Sequence, residues 1–303
     1  MAEMIGCMWD GQIDTRHLYS ALRLTAHKYY KDGTSLSPGA GTGFVVNPVL
    51  NQDHKGFLVT NRHVVDPNFV KGGSGQALGS ITVQGHHQST KYPTSAPDPI
   101  SFTIRRPQPR FLDGHPLLDL AVIDLDTADI DGELLVNAIG AHHLAGFRDY
   151  GEEITAGTQV LMSGFPGIGG QVADRPILVS GTIASDPRFS AAIGPNTYAD
   201  TVLCHAFSWG GMSGSPVFAL SPLKANTWDA LETGRNSRLR LAGVNAGHII
   251  IGEGELTRFV KSTALIELLY QLGVKILALK RGHGQDDLKP RRPLIVKDVP
   301  LTD

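Results

Sequence analysis

From Ala21 onward the chain is built of short apolar runs. Each is cut off by Gly, Pro, Asn, Asp or Ser before it reaches helical length. The runs are ALRLTAHKYY (21–30), FVVN (44–47), GFLVT (56–60), ITVQG (81–85), SFTIRR (101–106) and LAVIDL (120–125). A polar, mixed stretch at 127–152 reads as a linker holding a helical turn. The runs then resume as TQVLMSG (158–164), ILVSGTI (177–183), TVLCHAF (201–207), SPVFAL (215–220) and RLAGVNAG (240–247). Short strands at this spacing, in a chain with 35 Gly and 18 Pro, point to an all-β barrel or sandwich. No run is regularly followed by a helical segment, which argues against a parallel α/β sheet. One helix is predicted at 263–272, where Leu265, Leu268, Leu269 and Leu272 form an apolar face and Gly273 supplies a stop. The segment SPGAGTG (37–43) reads as a turn, and 221–236 as an exposed polar loop.

Composition narrows the classes of function. The 303 residues carry a net charge of −2, and the densest basic group is Lys289, Arg291 and Arg292 in a polar C-terminal tail. That balance gives no face for nucleic acid. Nowhere do about 18 apolar residues run together, so no membrane helix is expected. The acidic residues near the N-terminus and the absence of a continuous apolar core there do not match a secretory leader. The two cysteines, Cys7 and Cys204, lie far apart, so no disulfide framework is expected and a reducing, cytoplasmic setting fits.

Three stretches carry chemistry together. LVTNRHVV (58–65) places His63 directly after a strand, LLDLAVIDL (117–125) places Asp119 at the start of one, and SWGGMSGSPVF (208–218) sets Ser213 among glycines. The last of these is either a tight turn between strands or the seat of a nucleophile. A serine hydroxyl is a weak nucleophile at neutral pH. It needs a base within hydrogen-bond reach, and the base needs an acceptor that fixes its tautomer. It also needs donors aimed at the oxyanion of the attacked carbonyl. Glycines on both sides let the backbone turn sharply there, and the N–H groups of Gly211 and Ser213 would be the donors.

With those residues in view, the chain resembles the trypsin-like, chymotrypsin-fold serine peptidases, most closely their bacterial and HtrA-like members. The resemblance rests on Thr60-Asn61-Arg62-His63-Val64, Asp119-Leu120-Ala121-Val122 and Gly211-Met212-Ser213-Gly214-Ser215-Pro216, in the family's order. Gly41-Thr42-Gly43-Phe44-Val45, Gly164-Phe165-Pro166-Gly167 and Gly243-Val244-Asn245 add to it, and the whole covers residues 20 to 275. It implies two antiparallel six-stranded β-barrels with a C-terminal helix. The first would span 21–140 and carry His63 and Asp119. The second, with the helix, would span 141–275 and carry Ser213. An N-terminal extension (1–20) and a C-terminal tail (276–303) would flank them. The implied activity is endopeptidase cleavage of a protein or peptide. His63 would be the general base, Asp119 its orienter, and Ser213 the nucleophile of an acyl-enzyme. The alternative is a catalytically silent module that holds a peptide strand in the same cleft.

Departures from the family carry information. Digestive members place an aspartate before the nucleophile to pair with a new N-terminus. Met212 stands here, so activation by N-terminal processing is not expected. About thirty residues follow the predicted helix, too few for the PDZ domain of HtrA-like proteins. Control would then come from an activating protein partner, from loop ordering or from the tails. By family position Phe207 lies near the floor of the specificity pocket, and Ala246, Gly247 and His248 line its wall. That implies an uncharged pocket with a preference for small or medium apolar side chains, or a polar one read by His248. No metal or cofactor is expected. The acidic run 124–133 lacks the closing Glu of a calcium loop. The pairs His86-His87 and His142-His143 would point to opposite faces of a strand. The glycines at 167–170 lack the Lys-Ser/Thr of a phosphate loop.

Overall fold

The computed structural model describes residues 15–48, 54–69, 75–89, 95–168, 171–193, 196–222, 237–251, 254–274 and 276. Most of the predicted polar loop at 221–236, Cys7, the basic group at 289–292 and most of both tails lie outside them; Ser221 and Pro222 end a strand.

The first unit opens after a turn of helix, α1 (Thr15–Leu18). It contains β1 (Ala21–Tyr30), β2 (Gly39–Asn47), β3 (Phe57–Thr60), β4 (Gln76–His87), β5 (Asp98–Arg105), β6 (Ala121–Asp124), β7 (Asp129–Asp131) and β8 (Ile139–Gly140), with α2 (Arg62–Val65) after β3. These strands form a curled sheet in the order β6-β3-β2-β1-β4-β5-β7, with β8 added on β2. A helical turn, α3 (Asp149–Glu152), lies in the connection. The second unit contains β9 (Gln159–Gly164), β10 (Gly167–Ile168), β11 (Gln171–Val172), β12 (Ile177–Ile183), β13 (Ala191–Ile193), β14 (Asn196–Tyr198), β15 (Thr201–His205), β16 (Pro216–Pro222), β17 (Ser237–Ile251) and β18 (Gly254–Lys261). Six of them close a barrel, β12-β15-β18-β17-β16-β9. The helix α4 (Ser262–Gln271) follows. This is the chymotrypsin-like arrangement.

Strand periodicity explains why two sheets need three cores. Along β2, Val45 points into the core of the first unit with Leu24, Leu58, Ile81 and Ile123. Its neighbours Phe44 and Val46 face the other way, into a cluster between the units. β2 therefore reads as an unbroken apolar run because both of its faces are covered. The middle cluster also takes Leu161 and Phe218 from the second barrel and Leu265, Leu268 and Leu269 from α4. The third core lies inside the closed barrel, around Met162, Val202, Val217 and Phe259.

Two glycines expected in a turn are strand residues instead. A Cβ on Gly41 would lie 2.8 Å from a Val64 methyl, and one on Gly43 would lie 2.8 Å from Leu24 Cδ1. Gly41 and Gly43 let neighbouring side chains lie on β2, which is a packing role. The stop at Gly273 has a Schellman arrangement. Gly273 has φ +78°. Its N–H donates to the Tyr270 carbonyl at 2.9 Å, and Val274 donates to Leu269 at 3.0 Å. Among the described residues no helix is long and apolar enough to cross a membrane.

His142 and His143 are not on a strand. They occupy a 3-10 turn, Ala141–His143, and their rings lie 4.1 Å apart rather than on opposite faces. Burial, then the adjacent His142 and His17, push the His143 imidazole down to about 3. The unfolded chain binds a proton there below about pH 6.5 that the folded chain refuses until about pH 3. Stability therefore falls as pH drops through that window, by as much as about 1.4 kcal/mol per unit. Thermal unfolding between pH 7 and 4 should show a falling Tm, and His143→Gln should flatten that slope.

Candidate active site

His63 stands in the single turn of α2, just past the end of β3. Asn61 occupies the N-cap position, but its side chain is spent elsewhere. It is fully buried, and its Nδ2 donates to the Asp119 carbonyl at 2.8 Å. That bond ties the His63 turn to the segment leading into β6. The Asp119 carboxylate, 4% exposed, grips His63 at two points. Oδ1 accepts the His63 backbone N–H at 3.0 Å, and Oδ2 lies 2.7 Å from Nδ1. A carboxylate only accepts, so the proton sits on Nδ1 and Nε2 is left with its lone pair free. Arg258 of β18 adds a cation 4.0 Å from Oδ2.

Ser213 lies on the loop between β15 and β16, and each carbonyl from Trp209 to Ser213 has a partner. Trp209 accepts from Met212, Gly210 from Gly167, and Met212 from Ser215. The Gly211 carbonyl takes the Thr42 hydroxyl at 2.7 Å, and the Ser213 carbonyl takes the Thr42 N–H at 2.7 Å. Asn245 braces the loop from β17. Its Nδ2 donates to the Met212 carbonyl at 2.9 Å and to Ser208 Oγ at 3.0 Å, while its carbonyl takes the Gly214 N–H at 2.8 Å. The N–H groups of Met212, Gly214 and Ser215 are thus consumed. Among the described residues, those of Gly211 and Ser213 donate to nothing in the chain. The sequence singled out the same two groups. The Ser213 hydroxyl likewise makes no hydrogen bond among the described residues, so the bond to His63 is not formed in this structure.

Both flanking glycines are required. Gly211 and Gly214 each have φ +91°. A Cβ on Gly211 would lie 2.5 Å from the Phe165 carbonyl, and one on Gly214 only 2.0 Å from the Thr42 carbonyl. Gly210 has open space around it. Met212 is fully buried among the apolar side chains of the barrel core. A carboxylate in its place would enter an apolar interior.

The pocket residues are placed differently from expectation in one respect. Phe207 is not on a floor. Its ring is 69% exposed and stacked on Trp209, 5.8 Å between centroids. Ser208 between them turns inward to Asn245, and alternation throws both aromatics outward. Ala246 is buried, Gly247 takes φ +89°, and His248 lies 3.6 Å from Glu255 on the neighbouring strand. The roles of Thr42, Asn245 and Arg258 were not read from the sequence. The first two sit inside motifs already noted, GTGF and GVNAG. Arg258 carries no local signal.

A chymotrypsin-like fold with a carboxylate-bound histidine and a glycine-flanked serine defines a class, the serine peptidases and their relatives. The model of the trypsin-like peptidase domain matches residues 41–221, and the chain belongs to that family. No curated protein matches it. Among solved structures it is similar to the active form of the Rv3671c protease from M. tuberculosis, at 18% identity and TM-score 0.47, over 89% of this chain and 86% of that one. It is also similar to Deg5, at 16% identity and TM-score 0.48, over 87% and 93%.

Gly214→Ala should cost at least about 3 kcal/mol or prevent folding, because it combines a left-handed backbone with a backbone collision. Gly210→Ala should leave stability within about 0.5 kcal/mol of wild type. Thermal unfolding of the two variants side by side checks this.

Proposed function

We propose that the protein is a serine endopeptidase acting through His63, Asp119 and Ser213. Ser213 Oγ attacks the scissile carbonyl, and His63 Nε2 takes its proton, then gives it to the leaving amine. Water deacylates the Ser213 ester by the reverse route. The oxyanion lies against the N–H groups of Gly211 and Ser213. The observation that carries this reading is the two-point hold of Asp119 on His63, at 3.0 and 2.7 Å. It leaves Nε2 as the one basic ring nitrogen, which a nucleophilic serine requires.

The substrate is a protein or peptide, bound along Ala246, Gly247 and His248 with its side chain at the exposed Phe207–Trp209 surface. Two stacked rings favour an apolar residue there, and His248 is already engaged by Glu255. Control would come from an activating protein partner or from loop ordering. We place the enzyme in the reducing cytoplasm, without nucleic acid, membrane, metal or cofactor as partner. Burial pushes the Cys204 thiol up to about 12, so it stays protonated and unreactive.

A fluorophosphonate probe should label wild type and leave Ser213→Ala and His63→Ala unlabelled. Asp119→Asn should cut the rate by about 10³ to 10⁴-fold, through loss of the tautomer. Labelling that survives Ser213→Ala defeats the mechanism. Absence of labelling in every form, partner added or not, favours the silent peptide-binding module.

A further inference from the structure

Among the described residues Asp119 has a cation next to it besides its histidine, and it comes from the other half of the molecule. Arg258 lies on β18, paired with Leu203 on the neighbouring strand β15. Its Nη2 is 4.0 Å from Asp119 Oδ2. The other cation close to the His63 turn, Arg62, is turned away. Its Nε sits 2.9 Å from Asp66 Oδ2, and its Nη1 donates to the Pro116 carbonyl at 3.1 Å. Asp119 itself is nearly sealed from water, so its charge must be balanced within the protein.

The arginine is itself held. Its guanidinium carbon lies 5.2 Å from the ring centroid of Tyr198. Tyr198 is the last residue of β14, at the open end of the β13–β14 hairpin, which forms a sheet separate from the barrel. The Arg258 Nε is buried and has no hydrogen-bond partner among the described residues. The side chain is therefore fixed by charge and by a ring face rather than by a network of its own.

Resting on the triad reading above, we propose that Arg258 is a positioning residue for Asp119. Its cation holds the carboxylate aimed at His63 across the seam between the units, and Tyr198 keeps the guanidinium in place. The planar guanidinium suits this task, because it lies against the Tyr198 face while one nitrogen reaches the carboxylate. The hairpin carrying Tyr198 is thereby tied to the geometry of the acid–base pair without touching substrate.

Two measurements test this. The first is the fluorophosphonate labelling rate of Arg258→Met, Arg258→Lys and Tyr198→Leu. The second is the downfield proton NMR signal of the His63 Nδ1–H, recorded in the Ser213→Ala background. Arg258→Met keeps the stem and loses the charge. It should slow labelling about tenfold and broaden or remove the signal. Arg258→Lys should recover much of both, and Tyr198→Leu should fall between. A purely structural arginine would lower Tm but leave the rate of the folded fraction and the signal unmoved, which overturns the proposal. So does Arg258→Met behaving as wild type. If Arg258→Met does not fold, Tyr198→Leu decides, and a wild-type rate and signal there overturn the proposal. If wild type is never labelled, the triad reading fails, while the Nδ1–H signal still reports whether Arg258 holds Asp119.

Discussion

One threonine joins the two turns of the site across the seam between the halves. Thr42, on β2 of the first unit, gives its N–H to the Ser213 carbonyl and its hydroxyl to the Gly211 carbonyl. The same hydroxyl accepts the Phe165 N–H at 3.2 Å. Its carbonyl takes the Thr60 hydroxyl, at the end of the strand that delivers His63. One fully buried residue thus ties both turns of the site. The contact is possible only because Gly214 has no Cβ to meet the Thr42 carbonyl. The three cores fix the approximate pose of the units. This hydrogen-bonded joint sets the distance between the His63 and Ser213 turns.

The loop carrying Ser213 shows how backbone satisfaction produces a binding site. A loop that packs one side against the protein pairs the backbone groups it turns away from water. Here the pairing is complete on the carbonyl side and selective on the N–H side. Met212, Gly214 and Ser215 are consumed by the turn and by Asn245, which leaves two donors unspent. The burial of Met212 belongs to the same design, since it fixes the loop in the barrel core by packing, where digestive relatives use a salt bridge.

Much of this was legible in the sequence, and the reasons are local. β1 and β12 have the bounds their apolar runs predict, because turn residues end them abruptly. His63, Asp119 and Ser213 stand in motifs whose neighbours are dictated by the same turns that present them. Other features were not legible. The β13–β14 hairpin was missed, and so was β18, because GELTRFVK does not alternate cleanly: it opens exposed and ends with three consecutive buried residues. The exposed Phe207 was misplaced because a loop residue's direction depends on where Ser208 is tied, which is a contact across the fold. Arg258 was invisible for the same reason. Its meaning lies wholly in a residue 139 positions away.

The middle cluster has a mechanical consequence. Phe44, Phe218, Leu265 and Leu268 lie where the two sheets and α4 meet. They form the fulcrum on which the units would rock. A small change of volume there, remote from any reacting atom, acts through a long arm on the gap between His63 and Ser213. The helix after the last strand is therefore a wedge between the sheets. Its seating is shared by both halves, so that a substitution in α4 is felt on both sides of the seam.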